Sequence, residues 1–149
     1  MKLLLLMLSG LCLTACSTKP QPINYGHDAC SFCQMTIVDR QHAAQIVTVK
    51  GRSYKYDAIE CMLNEYRDWS RPAVATFLVA DYANPGVLRD ATESFYLISE
   101  KIPSPMGEFL TAFSSAKVRA SHSDEKAEEL DWEALKMEFD ILENQSKLK

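Results

Sequence analysis

The chain has 149 residues, of which 47% are hydrophobic and 24% are charged, and its formal net charge is −4. This length is sufficient for one domain with a hydrophobic core. The sequence has no basic cluster, so nucleic acid is not an expected partner. It also has no Ser-His-Asp, paired-carboxylate or phosphate-loop motif that would indicate those classes of enzyme.

The N-terminal segment, residues 1–15, is predicted to be a signal peptide. One Lys precedes a Leu-rich run that is too short to span a bilayer as a mature helix. The string Leu13-Thr14-Ala15-Cys16 resembles the lipobox of bacterial lipoproteins, in which the cysteine thiol receives diacylglycerol and becomes the mature N-terminus. An ordinary signal peptide with a chance cysteine is the alternative. Acyl chains on Cys16 would anchor the protein to a membrane, and Ser17 favours the periplasmic side of the outer membrane of a Gram-negative host.

Residues 16–26 contain two prolines and few apolar residues, which predicts a tether between the lipid and the domain. Once the signal peptide is removed, three cysteines remain beyond the acylated one, namely Cys30, Cys33 and Cys61. An odd number of thiols is unusual in an oxidising compartment. Either one pair closes and one thiol is spare, or the thiols serve another purpose.

Residues 27–120 are predicted to form the folded domain, and its first half combines short β-rich runs with one helix. Asp57 stands where an N-cap belongs, with Glu60 three residues later as in a capping box. The predicted strands are 36–38, 44–49, 53–56 and 73–80, and the predicted helix is 58–69.

The second half repeats this order of elements. The predicted strands are 87–88, 94–98 and 117–120, and the predicted helix is 108–113. A strand–strand–helix–strand unit is thus expected at residues 33–80 and again at 87–120. Residues 121–129 read as a charged linker, and an amphipathic helix is expected at 130–142. The predicted fold is α+β, with two small ββαβ units packed together and a C-terminal helix.

The stretch HDACSFCQM, residues 27–35, places one histidine, two cysteines and one methionine within nine residues. Cys30 and Cys33 could close a disulfide, perform redox chemistry or bind a metal. A thioredoxin-like redox pair would be followed by a helix, whereas Thr-Ile-Val favours a strand here. A structural zinc site would need four N or S ligands, so it would recruit Cys61 and a histidine.

Met35 favours copper among these alternatives. A thioether is a poor ligand for zinc and a good one for the soft ion Cu(I). In an extended segment Cys33 and Met35 would point to the same face, since strand residues i and i+2 point together. Cys30 could add a further ligand, and His27 is the nearest nitrogen donor.

Three motifs besides the lipobox resemble those of the NosL family: D-x-C-x-x-C-x-M at residues 28–35, YDAIECML at 56–63 and PSPMG at 103–107. Members of this family are lipoproteins described as copper chaperones for nitrous oxide reductase, the last enzyme of denitrification. The resemblance implies paired ββαβ units, similar to part of the organomercurial lyase fold.

The resemblance also implies ligands. Cys33 and Met35 match the family's Cu(I) ligands, and Cys30 matches a first cysteine that only some members have. Gln34 stands where many members carry Gly. Met106 and Cys61 fall in recognisable family stretches and, with His27, are further candidates for the metal site.

The function predicted from these observations is a membrane-anchored, extracytoplasmic Cu(I) chaperone without catalytic activity of its own. By resemblance, its partner is apo nitrous oxide reductase or another cuproenzyme. Two alternatives remain open: a thiol–disulfide oxidoreductase that uses Cys30 and Cys33, and a zinc-binding or structural lipoprotein.

Overall fold

The structure is a computed structural model that describes residues 18–139. The predicted signal peptide and Cys16 lie outside the described residues. The elements in chain order are β1 (Ala44–Thr48), β2 (Ser53–Tyr56), α1 (Ile59–Arg67), β3 (Val74–Ala80), β4 (Leu88–Asp90), β5 (Phe95–Ile98), β6 (Leu110–Phe113), α2 (Ala116–Ala120), β7 (Glu128–Leu130) and α3 (Trp132–Glu138).

Strands β1 to β4 form an antiparallel sheet in the order β2-β1-β3-β4. Its central strand β1 has the sequence AQIVT and is buried over its whole length, as expected for a β-rich run covered on both faces. The first predicted unit is confirmed in its order, since β1, β2, α1 and β3 follow one another as strand, strand, helix and strand. Residues 36–38 are not a strand, because only Thr36 forms a bridge, to Ala29.

The predicted capping box is wrong. The N-cap of α1 is Ala58, and no side chain caps the helix. Both carboxylates are used in tertiary contacts instead. Asp57 accepts a hydrogen bond from the Val38 amide at 3.4 Å, and Glu60 accepts from the Ser104 hydroxyl and from the backbone amide of β6.

The second unit is also present, but it begins and ends later than predicted. Strands β5, β6 and β7 form an antiparallel sheet in the order β6-β5-β7, and α2 lies between β6 and β7. The segment predicted as a helix at 108–113 is strand β6, because all four of its residues are buried beside β5. The strand predicted at 117–120 is helix α2, which begins where Ser115 caps it by accepting from the Val118 amide.

Two further segments differ from the prediction. β4 pairs with β3 and therefore belongs to the first sheet, whereas residues 87–88 were predicted to begin the second unit. The end of the predicted charged linker forms β7, which pairs with β5. The sheet to which β4 and β7 each belong depends on strands that are distant along the chain.

The chain before the domain lies against the first sheet from Gln21 onward. The Gln21 carbonyl accepts from the Gln45 side-chain amide at 2.7 Å, and the Pro22 carbonyl accepts from the Lys55 ammonium at 2.7 Å. Ile23 packs against the core. Within the segment predicted as a tether, residues 21–26 are therefore fixed to the domain.

The predicted C-terminal helix is confirmed as α3, which begins after Asp131 caps it through the Ala134 amide at 2.9 Å. Leu135 is buried and Phe139 packs against the core, as their helical spacing indicates, while Leu142 lies outside the described residues. In the part of the chain that the structure describes, no helix is both long and apolar enough to cross a bilayer.

Candidate metal centre

Three cysteines from two parts of the chain meet at one point. The Sγ atoms of Cys30, Cys33 and Cys61 all lie within 4.8 Å of one another, and all three residues are free cysteines. Among residues 18–139, this is the one group of three or more His, Cys, Asp or Glu side chains close enough to share an ion. Three sulfur donors at this spacing are suited to a soft metal ion.

A short hairpin-like loop, residues 28–37, supplies Cys30 and Cys33. The Cys30 amide donates to the Met35 carbonyl at 2.8 Å, and the Gln34 amide donates to the Cys30 carbonyl at 3.1 Å. The loop is attached to β2 because the Ser31 amide donates to the Lys55 carbonyl at 2.8 Å. These bonds hold both cysteines on the side of the loop that faces the domain.

The expected extended conformation of Cys33-Gln34-Met35 is wrong. Gln34 has φ of 64°, in the left-handed region, so the argument that Cys33 and Met35 share a strand face does not apply. The Gln34 side-chain amide donates to the Ser31 carbonyl at 2.9 Å. Glycine, which has no Cβ atom, suits this backbone better than glutamine, and this is a physical reason for the Gly that the family resemblance implies at this position.

Helix α1 supplies the third cysteine in its first turn, two residues after its start. Cys61 and Cys30 are fully buried, Cys33 is half-buried and Met35 is 61% exposed. These four sulfur-containing side chains thus range from the interior to the surface. Cys61 could be found from sequence only through the YDAIECML stretch, since nothing local links it to residues 30–35.

The thiols differ in acidity. The pKa of Cys30 is lowered to about 5, chiefly because the Cys61 thiol donates a hydrogen bond to its thiolate. Backbone amides of Asp57, Cys33 and Phe32 add to this effect and outweigh the cost of burial. Burial raises the pKa of Cys33, and the bond to Cys30 raises the pKa of Cys61. The cluster therefore holds one thiolate and two thiols at neutral pH.

Asp57 lies beside the cluster without being one of its donors. Its amide donates to Cys30, and its side chain is buried. Burial raises the pKa of the Asp57 carboxyl, and the negative charge on Cys30 raises it further. Asp57 therefore positions the loop through its backbone and through the bond to Val38.

The other candidates lie elsewhere. His27 is exposed and is not a member of the cysteine cluster, and its amide donates to Asn24. Met106 is 37% exposed, in the turn between β5 and β6 that the Gly107 amide closes on the Ser104 carbonyl at 3.0 Å. Ser104 is itself bonded to Glu60 of α1, so this turn and Cys61 are attached to the same helix.

A mixed fold of two small antiparallel sheets, with three cysteines converging beside one of them, defines a metal-binding domain. The sequence model of the NosL family matches residues 22–130. The chain therefore belongs to the NosL family, and this is a family of copper chaperones and not of enzymes.

A solved structure has the same fold. The crystal structure of the copper chaperone NosL from Shewanella denitrificans superimposes with a TM-score of 0.67 at 16% sequence identity, over 78% of this chain and 95% of that chain. No curated protein sequence matches this chain significantly.

Proposed function

We propose that this protein is a membrane-anchored, extracytoplasmic Cu(I) chaperone that delivers copper to a cuproenzyme, with nitrous oxide reductase as the recipient. The observation that carries the proposal is the convergence of Cys30, Cys33 and Cys61 in a member of the NosL family. The crystallised relative is itself a copper chaperone.

The donor set supports Cu(I) over zinc. Cu(I) is soft and accepts two to four sulfur or imidazole ligands, whereas a structural zinc site is closed by four. Among the described residues, no histidine or carboxylate joins the three thiols as a fourth member. Met35, in the same loop, offers a thioether that only the softer ion would use.

The graded exposure of the donors supports a transfer mechanism. Cys30 and Cys61 hold the ion from the buried side, while the half-buried Cys33 faces the outside. A ligand from a partner replaces the outermost donor first, and the others follow one at a time. Exchange of this kind keeps the ion bound at every step, so free Cu(I) is never released.

Proton release accompanies metal binding. Cys30 has a pKa of about 5 and binds as the thiolate already present, whereas the raised pKa of Cys33 and of Cys61 means that these thiols lose protons when copper binds. Copper affinity is therefore expected to fall as the pH falls, since protons compete for the sulfurs.

The test is an anaerobic titration of the purified, reduced protein with Cu(I) against a competing chelator. Cys33→Ser and Cys61→Ser are each expected to weaken binding by at least about tenfold, roughly 1.4 kcal/mol. Met35→Ala is expected to weaken it too, whereas Met137→Ala is the matched control, since Met137 on α3 is 60% exposed. Weak binding by the wild type, or equal affinity in all variants, would contradict the proposal.

The recipient and the anchor need separate measurements. The copper-loaded protein should restore activity to apo nitrous oxide reductase faster than the same amount of chelated copper, and no transfer would remove that enzyme as recipient.

The lipid anchor predicts that the protein fractionates with membranes and that Cys16→Ser releases it, because one thiol carries the acyl chains.

A further inference from the structure

We propose that the surface around Cys33 docks a protein partner for copper exchange, and that this partner presents a carboxylate side chain opposite Arg52. The docking surface is defined by Phe32, Met35, Val38, Arg52 and Arg71. The role in copper exchange rests on the proposed function, whereas the docking itself can be tested without copper.

The apolar part of the docking surface lies on the loop of residues 28–37 that carries Cys30 and Cys33, called here the metal-site loop, and on Val38 directly after it. Phe32 is 44% exposed, Met35 61% and Val38 65%. These three large apolar side chains fall within seven consecutive residues, on both sides of the half-buried Cys33. Large apolar side chains left exposed close to a reactive site are typical of a surface that another protein covers.

The basic part adjoins the loop and is held in place by aromatic rings. The Arg71 guanidinium lies 4.1 Å from the centre of the Tyr54 ring, and the Arg52 guanidinium lies 4.8 Å from the same ring. Both arginines line a cleft of about 370 Å³ whose other wall includes Cys30 and Gln34 of the loop. Stacked guanidinium groups lose little conformational freedom when they bind a carboxylate.

The charge of the cleft is opposite to that of the whole molecule. The chain has a formal net charge of −4, yet the cleft contains Arg52, Lys55 and Arg71. Asp28 pairs with Lys55 at 2.6 Å and Glu65 pairs with Arg71. Arg52 has no carboxylate partner anywhere in residues 18–139, so one positive charge beside the loop is left for an acidic partner.

A protein fits this surface better than a lipid or a second copy of the chain. Copper leaves the site only when incoming donors replace the thiolates, and a lipid surface offers no such soft ligand. A second copy docked by two-fold symmetry would bring two copies of the same basic cleft into one interface, which is unfavourable. An acidic protein would be steered to the loop, and this attraction raises the association rate.

The test uses two synthetic peptides of equal length, one alternating Leu with Asp and the other alternating Leu with Lys. Binding to the purified, reduced, copper-free protein is measured by calorimetry, and the contact residues are identified by NMR. The Asp peptide is expected to bind at least about tenfold more tightly at low salt, to lose this advantage at high salt, and to shift the loop resonances.

A matched pair of charge reversals locates the effect. Arg52→Glu is expected to abolish the preference for the Asp peptide. Lys117→Glu makes the same change in net charge at an exposed position of α2 and is expected to retain the preference. Equal binding of both peptides, or equal loss of preference in both variants, would overturn the proposal.

The experiments also reveal whether a membrane or a second copy of the chain occupies the docking surface instead. If anionic phospholipid vesicles, and not the Asp peptide, shift the loop resonances, the surface is a membrane contact. If sedimentation shows a dimer that Phe32→Ala dissociates, it is an interface between copies. The peptide experiments contain no metal, so their result does not depend on the copper titration. A titration that shows no copper binding would contradict the proposed function and would not affect the conclusion about docking.

Discussion

The Cys30 thiolate is stabilised by hydrogen bonds from two distant parts of the chain. The Cys61 thiol of α1 is its main donor, and amides of the loop and of Asp57 supply the rest. The arrangement keeps one thiol of the cluster deprotonated in a buried position, where an isolated thiol would be neutral. Under the proposed function, an incoming Cu(I) ion would meet a ligand that is already charged.

Removal of the Cys61 thiol should make Cys30 less acidic. In the wild type, ultraviolet thiolate absorbance should persist at neutral pH and disappear as the pH falls through about 5. In Cys61→Ala the midpoint should move to higher pH, because the largest stabilising hydrogen bond is gone. Cys33→Ala is the comparison variant that retains this bond, and an equal shift in both variants would show that Cys61 is not the main donor.

At the scale of elements, the metal-site loop depends on one strained backbone position. Gln34, which lies between Cys33 and Met35, adopts φ of 64° where the chain turns. For a residue with a Cβ atom this region is unfavourable, and for a β-branched residue it is worse. The geometry of the site is therefore sensitive to a residue that donates nothing to the metal.

Two substitutions at Gln34 should act in opposite directions. Gln34→Val is expected to lower the free energy of unfolding by about 1–2 kcal/mol. It is also expected to weaken copper binding, even though the variant retains every cysteine and methionine. Gln34→Gly should equal or exceed the wild type by up to about 1 kcal/mol, because strain relief offsets the lost bond to Ser31. Urea unfolding measures the stability of both variants, and the copper titration measures their affinity. Equal stability of the two variants would contradict the presence of backbone strain at Gln34.

At the scale of the whole molecule, the C-terminal segment joins the two sheets. β7 pairs with β5 of the second sheet. Trp132 of α3 contacts Phe77 of the first sheet and Tyr96 of the second, with ring centroids 5.3 and 6.2 Å apart. Residues 128–139 thus complete one core shared by both units and are not an appendage to it.

Truncation of the Trp132 side chain should destabilise the whole protein. Trp132→Ala is expected to cost about 3–5 kcal/mol of unfolding free energy, because it leaves a cavity between the sheets. Met137→Ala, on the exposed side of the same helix, should stay within about 0.5 kcal/mol of the wild type. Similar unfolding midpoints for the two variants would show that α3 is peripheral.

Local patterns predicted the first unit well and the second poorly. The β-rich run of β1 and the helical spacing of α1 carry their own signals, and the structure confirms both. The segment of β6 has no comparable pattern. All four of its residues are buried, so neither helical spacing nor the alternation typical of a strand is visible. The capping box failed for the same kind of reason, since Asp57 and Glu60 bond to partners far along the chain.

The sequence by itself determined the family, the order of elements in the first unit and the loop that carries Cys30, Cys33 and Met35, because these depend on residues that are neighbours along the chain. Only the tertiary structure decided that Cys61 joins the cluster, that Gln34 turns Met35 out of a shared strand face, and that Arg52 and Arg71 flank the loop. These relations arise where the loop packs against α1 and β2, and contacts between distant segments have no local pattern from which they could be predicted.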